Sequence, residues 1–353
     1  MTRWITATAL LAGAACLTVI TTTTELGAAT NTRIMSGLNS PRGLAIGPDG
    51  AVYVAEGGSG GAGPCIIAAT NETRCFGLTG AISRFANGVQ QRTVSGLPSH
   101  GLPSGDAATG PNDIAFQTGG GMLVLMGLGF DPSVRPSYGP SGLLFGKLLN
   151  VSAAGVITEA ADVSAYEAQT NPAGGPVDTN PFGLLSVAGT RLVADAGANA
   201  LLSVVASGLV NTVAVFPSRP ARSTDSVPTS VTVGPDGAYY VSELSGVPFA
   251  AGSSNIYRVV PRQQPQVFRS GFTTVTDMEF GPDGSLYVVE HSTGPVFFGR
   301  PGDIVKIAPD GTRTVLVSNL NRPTSLAIAS DGSIYYTNFG ITRGAGEVWR
   351  FTP

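Results

Sequence analysis

One phrase recurs along this chain: an apolar strand, a tight turn that reads Gly-Pro-Asp-Gly in its full form, and a second apolar strand. Six stretches carry it, and the last keeps only the Asp-Gly part of the turn. They begin at Pro41, Pro111, Pro181, Pro228, Val275 and Pro323, so the intervals are 70, 70, 47, 47 and 48 residues. A short period of strand signals alone, here with two longer units, is typical of propeller blades. The repeats therefore predict an all-β, six-bladed β-propeller.

The composition agrees with many short strands joined by turns. The chain of 353 residues contains 48 glycines and 25 prolines, and only 12% of its residues are charged. Its net charge is −3, and no run of lysine or arginine occurs. A nucleic-acid partner has no electrostatic support in such a sequence, and we predict none.

Each repeat is predicted to form a four-stranded antiparallel blade. In the first repeat the strands are predicted at residues 43–47, 51–56, 81–86 and 91–95. The last repeat supplies only three strands, at residues 326–328, 334–336 and 347–351. Residues 33–38 resemble the outer strand of the first repeat, so we expect the N-terminal strand to close the last blade. Residues 162–169 break the β pattern and predict a short helix before the third blade.

The N-terminus is predicted to be an export signal. Arg3 precedes an apolar run at residues 5–20, and small residues follow at 27–29, where a signal peptidase would cut. A lipoprotein signal ending at Cys16 and a retained membrane anchor are the alternatives. We expect residues 1–29 to be a signal peptide, residues 30–353 to form a single domain, and the protein to be secreted or periplasmic, with no membrane contact beyond the export signal.

Two cysteines remain in the expected mature chain, Cys65 and Cys75, ten residues apart in a Gly-rich stretch. No histidine, cysteine or acidic cluster beside them has the spacing of a zinc site. In an exported chain the pattern favours a disulfide that closes the loop. Two free, buried thiols are the alternative.

Long connections are predicted to gather on one face of the propeller, where binding sites usually lie. The second strands end on that face, with oxygen-bearing side chains at Glu56, Asp195, Glu243, Glu290 and Asn338. Asp113 and Asp277 lie near the starts of inner strands, close to the channel mouth. Converging oxygen ligands would suit Ca²⁺. The alternative is that each carboxylate ends its own blade and binds backbone N–H groups, and the sequence leaves both interpretations open.

The sequence contains only two histidines, His100 and His291, and both are predicted in connections on the long-loop face. A histidine beside a metal-bound water would suit hydrolysis of a lactone or an ester. Two exposed loop histidines are the other interpretation. The candidate ligand-binding residues are therefore Asp113, Asp277 and His291, and no catalytic residue is assigned.

Several motifs resemble the ScyD/ScyE family in order along the predicted mature chain. They include residues 40–45, 56–65, 80–84, 180–185, 194–201 and 227–230. The resemblance implies an exported propeller related to NHL and gluconolactonase-like folds. It also implies a link to biosynthesis of the extracellular pigment scytonemin, without fixing a reaction. The motifs that contain Asp195 and Glu243 match this family, whereas His100 and His291 do not.

Three functions follow from these features. The first is a binding or scaffold propeller that holds a small molecule, glycan or protein on its long-loop face, and the third, related to it, is an accessory protein of secondary-metabolite assembly. The second is a Ca²⁺-dependent lactonase or esterase of the six-bladed type. Because the carboxylates lack a convincing acid–base partner, the binding function is preferred. We expect a monomer.

Overall fold

The computed structural model describes residues 29–68, 71–187, 189–216, 224–294 and 300–353. Residues 1–28 of the predicted signal segment lie outside these described residues. Within the described part of the chain, none of the helices has both the length and the apolar character needed to cross a membrane.

The fold is the predicted six-bladed β-propeller with antiparallel blades: five blades contain four strands each, and the first contains the short additional strand β4 as well. The chain enters through β1 (Thr30–Leu38), and the first blade region then contains β2 (Pro41–Ile46), β3 (Val52–Glu56), β4 (Cys65–Ile67), β5 (Thr73–Ala86) and β6 (Val89–Gly101). Blade 2 contains β7 (Pro111–Phe116), β8 (Met122–Met126), β9 (Lys147–Val151) and β10 (Ile157–Asp162). Blade 3 contains β11 (Pro181–Val187), β12 (Thr190–Asp195), β13 (Ala200–Val205) and β14 (Val210–Val215).

The second half of the ring repeats the plan. Blade 4 contains β15 (Pro228–Val233), β16 (Tyr239–Glu243), β17 (Ser254–Val259) and β18 (Gln266–Phe272). Blade 5 contains β19 (Val275–Phe280), β20 (Leu286–Glu290), β21 (Gly302–Ile307) and β22 (Arg313–Leu320). Blade 6 contains β23 (Leu326–Ile328), β24 (Ile334–Asn338) and β25 (Gly346–Thr352), and β1 is its fourth strand.

The recurring turn joins the first and second strands of a blade. In its Gly-Pro-Asp-Gly form the last glycine takes a positive φ, which is 72° at Gly50, because a left-handed conformation costs glycine little. The aspartate before it accepts a hydrogen bond from the backbone two residues on, as Asp49 Oδ1 does from Ala51 N at 3.1 Å. The repeated sequence thus specifies the repeated hairpin.

The ring is closed by the pairing of β1 with β25, as the sequence predicts. Thr30 lies opposite Thr352 in the antiparallel register. Asn31 and Tyr336 exchange hydrogen bonds, and Arg33 Nη1 lies 2.7 Å from Glu347 Oε1. These contacts give the last sheet the outer strand that its own repeat lacks.

The core is divided among the interfaces between blades. Six buried apolar clusters each join residues of two neighbouring blades. At the closing interface, Met35 and Leu38 of β1 pack with Leu44 and Val54 of blade 1. Apolar residues on both faces of the inner strands are therefore buried by stacking, as the near-continuous apolar runs predict.

Blade 1 differs from its prediction, because β5 and β6 are much longer than the strands predicted at residues 81–86 and 91–95. Residues 73–75 of β5 pair with β4, and Cys65 and Cys75 face each other in this register and form a disulfide. The predicted disulfide is confirmed. Close approach of the chain requires glycine here, because a Cβ on Gly77 would lie 2.2 Å from the carbonyl oxygen of Gly60.

The predicted helix is present as α1 (Val163–Thr170), capped by the Asp162 carboxylate, which accepts from Ala165 N at 2.9 Å. Two short 3₁₀ segments, Pro132–Tyr138 and Pro140–Leu144, precede it in the long second unit. Phe76, Tyr138 and Phe145 form an apolar cluster that fixes these segments against the extension of blade 1.

Candidate functional site: the central channel

One position of each inner strand builds a ring around the channel. This third residue of each repeat is, in chain order, Gly43, Asp113, Gly183, Ser230, Asp277 and Ser325. Blades 2 and 5 are three apart in a ring of six, so Asp113 and Asp277 face each other across the channel. Both are half-buried. The structure thus brings these two predicted ligand-binding residues to one place.

Asp113 is held between two blades whose corresponding residues are glycines. Its Oδ2 accepts from Leu184 N of blade 3 at 2.6 Å, and its Oδ1 accepts from Ile114 N at 2.8 Å. Gly43 makes room on the other side, since a Cβ there would lie 1.9 Å from Asp113 Oδ1. Among the described residues, only backbone N–H groups donate hydrogen bonds to the Asp113 carboxylate.

Asp277 is flanked by serines instead. It accepts from Ser230 Oγ at 2.7 Å and from Ser325 Oγ at 2.5 Å. Its Oδ2 also accepts from Leu326 N of blade 6 at 3.0 Å, as Asp113 does from the corresponding residue of blade 3. The two acids hold equivalent positions with different hydrogen-bond partners.

Burial is the main influence on the acidity of this site. It raises the pKa of Asp113 well above its usual range, and the facing charge of Asp277 raises it further. Burial also raises the pKa of Asp277, against which the Ser325 and Ser230 hydroxyls act. A third acid, Glu279, accepts from Ile328 N at 2.9 Å, and burial raises its pKa to about 7. Protons are therefore retained in the channel at a pH where exposed carboxyls have lost theirs.

The two facing aspartates divide the channel unequally. Towards the short turns lies a cavity of about 350 Å³, which includes Asp113, Asp277 and Glu279 in its lining. Towards the long loops only about 10 Å³ remains, roughly the space of one water molecule. Ile46 and Phe116, at the far end of the larger cavity, are half-buried, so this cavity opens on the short-turn face.

The channel is narrow on the long-loop side because the second residue of each repeat fills it. Three of these residues donate to a carbonyl of the next blade: Asn112 to Pro181, Thr229 to Val275 and Thr324 to Pro41. Arg42 reaches outwards and donates to the carbonyl of Ala108 at 2.6 Å. The same side chains that join the blades therefore close this end.

The strand-end acids have a different role from the predicted convergence. Each accepts a hydrogen bond from a residue 15 to 17 positions earlier, in the connection that enters its own blade. The pairs are Glu56 with Asn39 N, Asp195 with Asn180 N, Glu243 with Ser226 Oγ, Glu290 with Thr273 N, and Asn338 with Asn321 N. The five predicted metal ligands thus each tie a corner of their own blade, which is the alternative interpretation of these residues.

These residues do not fit a bound Ca²⁺. The oxygens of Glu56 accept four hydrogen bonds, and those of Asp195 accept four as well, so N–H and O–H donors occupy the positions a cation would need. Over the described ranges, no group of three or more His, Cys, Asp or Glu side chains is placed to hold a metal ion.

The histidines are buried and lie outside the channel cavity. His100 is 2% exposed, and its Nε2 lies 2.7 Å from the carbonyl of Leu128. His291 is 1% exposed, and its Nδ1 lies 2.8 Å from the carbonyl of Pro323. Burial lowers the pKa of His100 to about 4 and that of His291 to about 3. The prediction of exposed loop histidines is wrong, and the structure gives His291 no place beside Asp113 and Asp277.

Sequence reasoning missed Glu279 and the cavity beneath the aspartates. The signal for Glu279 was available in the repeats, because aligning their fifth residues shows an acid in blade 5 only. The alignment does not show that the channel beyond these acids is wide enough to form a cavity. The side of the short turns was assigned no function, yet the larger channel cavity opens there.

The comparisons with known proteins agree with the fold. No family model matches the chain, and no curated protein matches it. Among solved structures, the chain is similar to virginiamycin B lyase from Staphylococcus aureus (13% identity, TM-score 0.53, 92% of this chain and 99% of that chain). It is also similar to a putative gluconolactonase (11%, 0.54, 92% and 92%). A third is the calcium-binding protein regucalcin from Agrobacterium tumefaciens (14%, 0.52, 91% and 92%). At these identities the likeness shows a common propeller fold.

Proposed function

We propose that this protein is a binding propeller that holds a small molecule in its central channel, between the facing aspartates and the short turns. The observation that carries the proposal is the cavity of about 350 Å³ whose inner end is formed by Asp113 and Asp277. Its size lies within the range of small-molecule sites, and Asp113, Asp277 and Glu279 place acidic groups in its wall.

The lining defines the chemistry of the ligand. Acidic groups lie at the inner end and at Glu279, whereas Ile46, Phe116 and Ile328 form apolar walls nearer the opening. A compact molecule with hydrogen-bond donors at one end and an apolar body fits this arrangement. The ScyD/ScyE resemblance extends the proposal to an exported accessory protein of secondary-metabolite assembly, with an aromatic intermediate as ligand.

A binding screen by thermal shift tests the channel. Small molecules of this class should raise the melting temperature of the full chain, and Ala115→Leu, which enlarges an apolar side chain of the cavity wall and leaves the three acids in place, should abolish the shift. Asp236→Asn is the matched control, because Asp236 lies in a short turn outside the cavity and pairs with Arg258. Ligand shifts that survive Ala115→Leu would place binding elsewhere and contradict the proposal.

Export is a separate part of the proposal. It rests on the apolar run of residues 5–20 and the small residues that follow. Sequencing the N-terminus of the protein recovered outside the cytoplasm should give a chain that begins near Thr30. A recovered chain that still carries residues 1–29 would contradict cleavage.

A second candidate function is acid–base chemistry without a metal. It is favoured by the unlike surroundings of the facing aspartates, because the hydroxyls around Asp277 support its carboxylate form and Asp113 lacks them. Asp277 would accept a proton from a water whose oxygen attacks the acyl carbon of a bound lactone or ester, and Asp113 would donate a proton to the alkoxide oxygen that leaves as the acyl C–O bond breaks. Turnover should be lost in both Asp113→Asn and Asp277→Asn and should persist in EDTA. Turnover that persists in either variant would exclude this candidate.

A further inference from the structure

A second cavity lies on the long-loop face, away from the channel, and has a volume of about 660 Å³. Three segments surround it: the end of α1 with the connection that follows, the turn after β12, and the end of β14. Val215, Phe216 and Pro176 supply apolar parts of its wall. It is therefore built from the loops of the long second unit and of blade 3.

Three carboxylates line this cavity: Glu167 of α1, Asp178 of the following connection, and Asp225 before blade 4. Glu167 is only 1% exposed, yet within the described ranges its Oε2 has no hydrogen-bond partner. Asp178 Oδ1 is likewise buried without a partner. A buried acceptor without a hydrogen bond lowers the stability of the fold. Because these two acceptors lie in a cavity wall, we infer that a donor from a bound molecule satisfies them.

The neighbouring acid behaves in the opposite way. Asp195 lies behind the cavity with all its donors in place, since it accepts from Thr179 Oγ1, Asn180 N, Gly197 N and Ala198 N. Its role is to hold the turn that forms the cavity wall. The unsatisfied oxygens of Glu167 and Asp178 are therefore a local exception and do not reflect a general lack of donors in this blade.

The charged groups that act on the pKa of Glu167 among the described residues are both carboxylates, Asp195 and Asp178. Burial, together with the nearby carboxylates of Asp195 and Asp178, raises the pKa of Glu167 to about 7. Burial raises the pKa of Asp178 as well, with contributions from Asp131 and Asp225. Across the described segments, no lysine or arginine pairs with Glu167, Asp178 or Asp225. A cation in the cavity would relieve this repulsion.

We propose that this cavity, whose acceptors are Glu167, Asp178 and Asp225, is a binding site for a small organic cation that carries an amine or a guanidinium group. A metal ion fits less well, because the described side chains nowhere form a cluster of three ligands suited to a metal. The cavity volume and the apolar wall suit an organic body, and an N–H donor supplies the bonds that Glu167 and Asp178 lack.

Titration calorimetry of the full chain with agmatine, which carries both an amine and a guanidinium, tests the site. Binding should appear at pH 8 and low salt, and Glu167→Gln and Asp178→Asn should each weaken it about tenfold or more. Glu159→Gln is the matched control, because Glu159 is an exposed acid that pairs with Lys147 outside the cavity, and it should leave the affinity unchanged. Each variant is first checked by thermal melting, and a folded protein is required.

Three outcomes would overturn the proposal. Agmatine affinity that is unchanged by Glu167→Gln would show that the unsatisfied acid is structural only. Ca²⁺ alone binding with the same dependence on Glu167 would make this a metal site. The chain also carries Arg219 and Arg222 directly after Phe216. If agmatine binds only after both are changed to glutamine, the acids serve the chain's own arginines.

Discussion

Replacing Glu56 by glutamine separates a structural role from a metal-binding role. Glu56 is fully buried and accepts from Asn39 N, Ser83 Oγ, and Arg92 Nε and Nη2 at 2.6 to 2.8 Å. The amide keeps one acceptor oxygen, so at least one donor loses its partner and the ion pair with Arg92 is lost. Bonds to a buried carboxylate contribute about 1.5–3 kcal/mol each. Because Arg92 is half exposed, its share is discounted, and we expect a loss of about 2–4 kcal/mol.

The magnitude converts into a melting temperature. An unfolding entropy of about 2.1 cal/mol/K per residue over about 320 residues gives about 0.7 kcal/mol/K, so Glu56→Gln should melt about 3–6 °C lower. Calorimetry with and without Ca²⁺ is the assay, and Glu159→Gln should shift the melt by about 1 °C or less. The structural role would be refuted by a variant that melts like the wild type, or by a Ca²⁺-induced rise that the variant abolishes.

Three further predictions concern closure, the disulfide and acid stability. Met35→Ala and Leu38→Ala should each lower the free energy of unfolding by about 2–5 kcal/mol in denaturant titrations, because both side chains are buried at the closing interface. Losses under about 1 kcal/mol would argue against closure by β1. Changing both Cys65 and Cys75 to serine should cost about 2–3 kcal/mol in the same assay under oxidising conditions, and an unchanged midpoint would show that the loop is held by other contacts. Burial lowers the pKa of His291 from 6.5 to about 3, so the neutral ring stabilises the fold above pH 6.5 and that contribution is lost as the pH falls towards 3. His291→Gln should therefore flatten the curve of unfolding free energy against pH between pH 6.5 and 3. Parallel curves for the variant and the wild type would contradict the burial of a neutral ring.

The architecture followed from the sequence because each repeat carries its own local instructions. A glycine that tolerates positive φ and an aspartate that accepts from the turn define a hairpin without reference to the rest of the chain. Closure was equally readable, since residues 33–38 repeat the outer strand of the first blade. The predicted second strand of blade 1, residues 51–56, agrees with β3 (Val52–Glu56) to within one residue.

The site followed only in part, because its properties depend on partners from other blades. A carboxylate at the end of a second strand looks the same in sequence whether it meets a cation or an N–H group about 17 residues earlier. Asp113 and Asp277 were identified by position, but their separation from the histidines depends on how deeply His291 is packed. The extension of blade 1 was missed because it depends on close contact between Gly60 and Gly77. No local sequence pattern predicts a contact between residues this far apart in the chain.

The pairing of β1 with β25 also brings the two ends of the described fold together. Thr30 and Thr352 are opposite each other, about 5 Å apart in an antiparallel ladder, so a linker of a few residues can join them. The ring then has no obligatory beginning. A circularly permuted chain in which this linker joins the former ends and new ends are opened at a tight turn, such as the one at Gly237, should fold into the same propeller. The position of the ends could thus be moved to either face, which would allow a reporter to be attached beside the channel opening or on the opposite side.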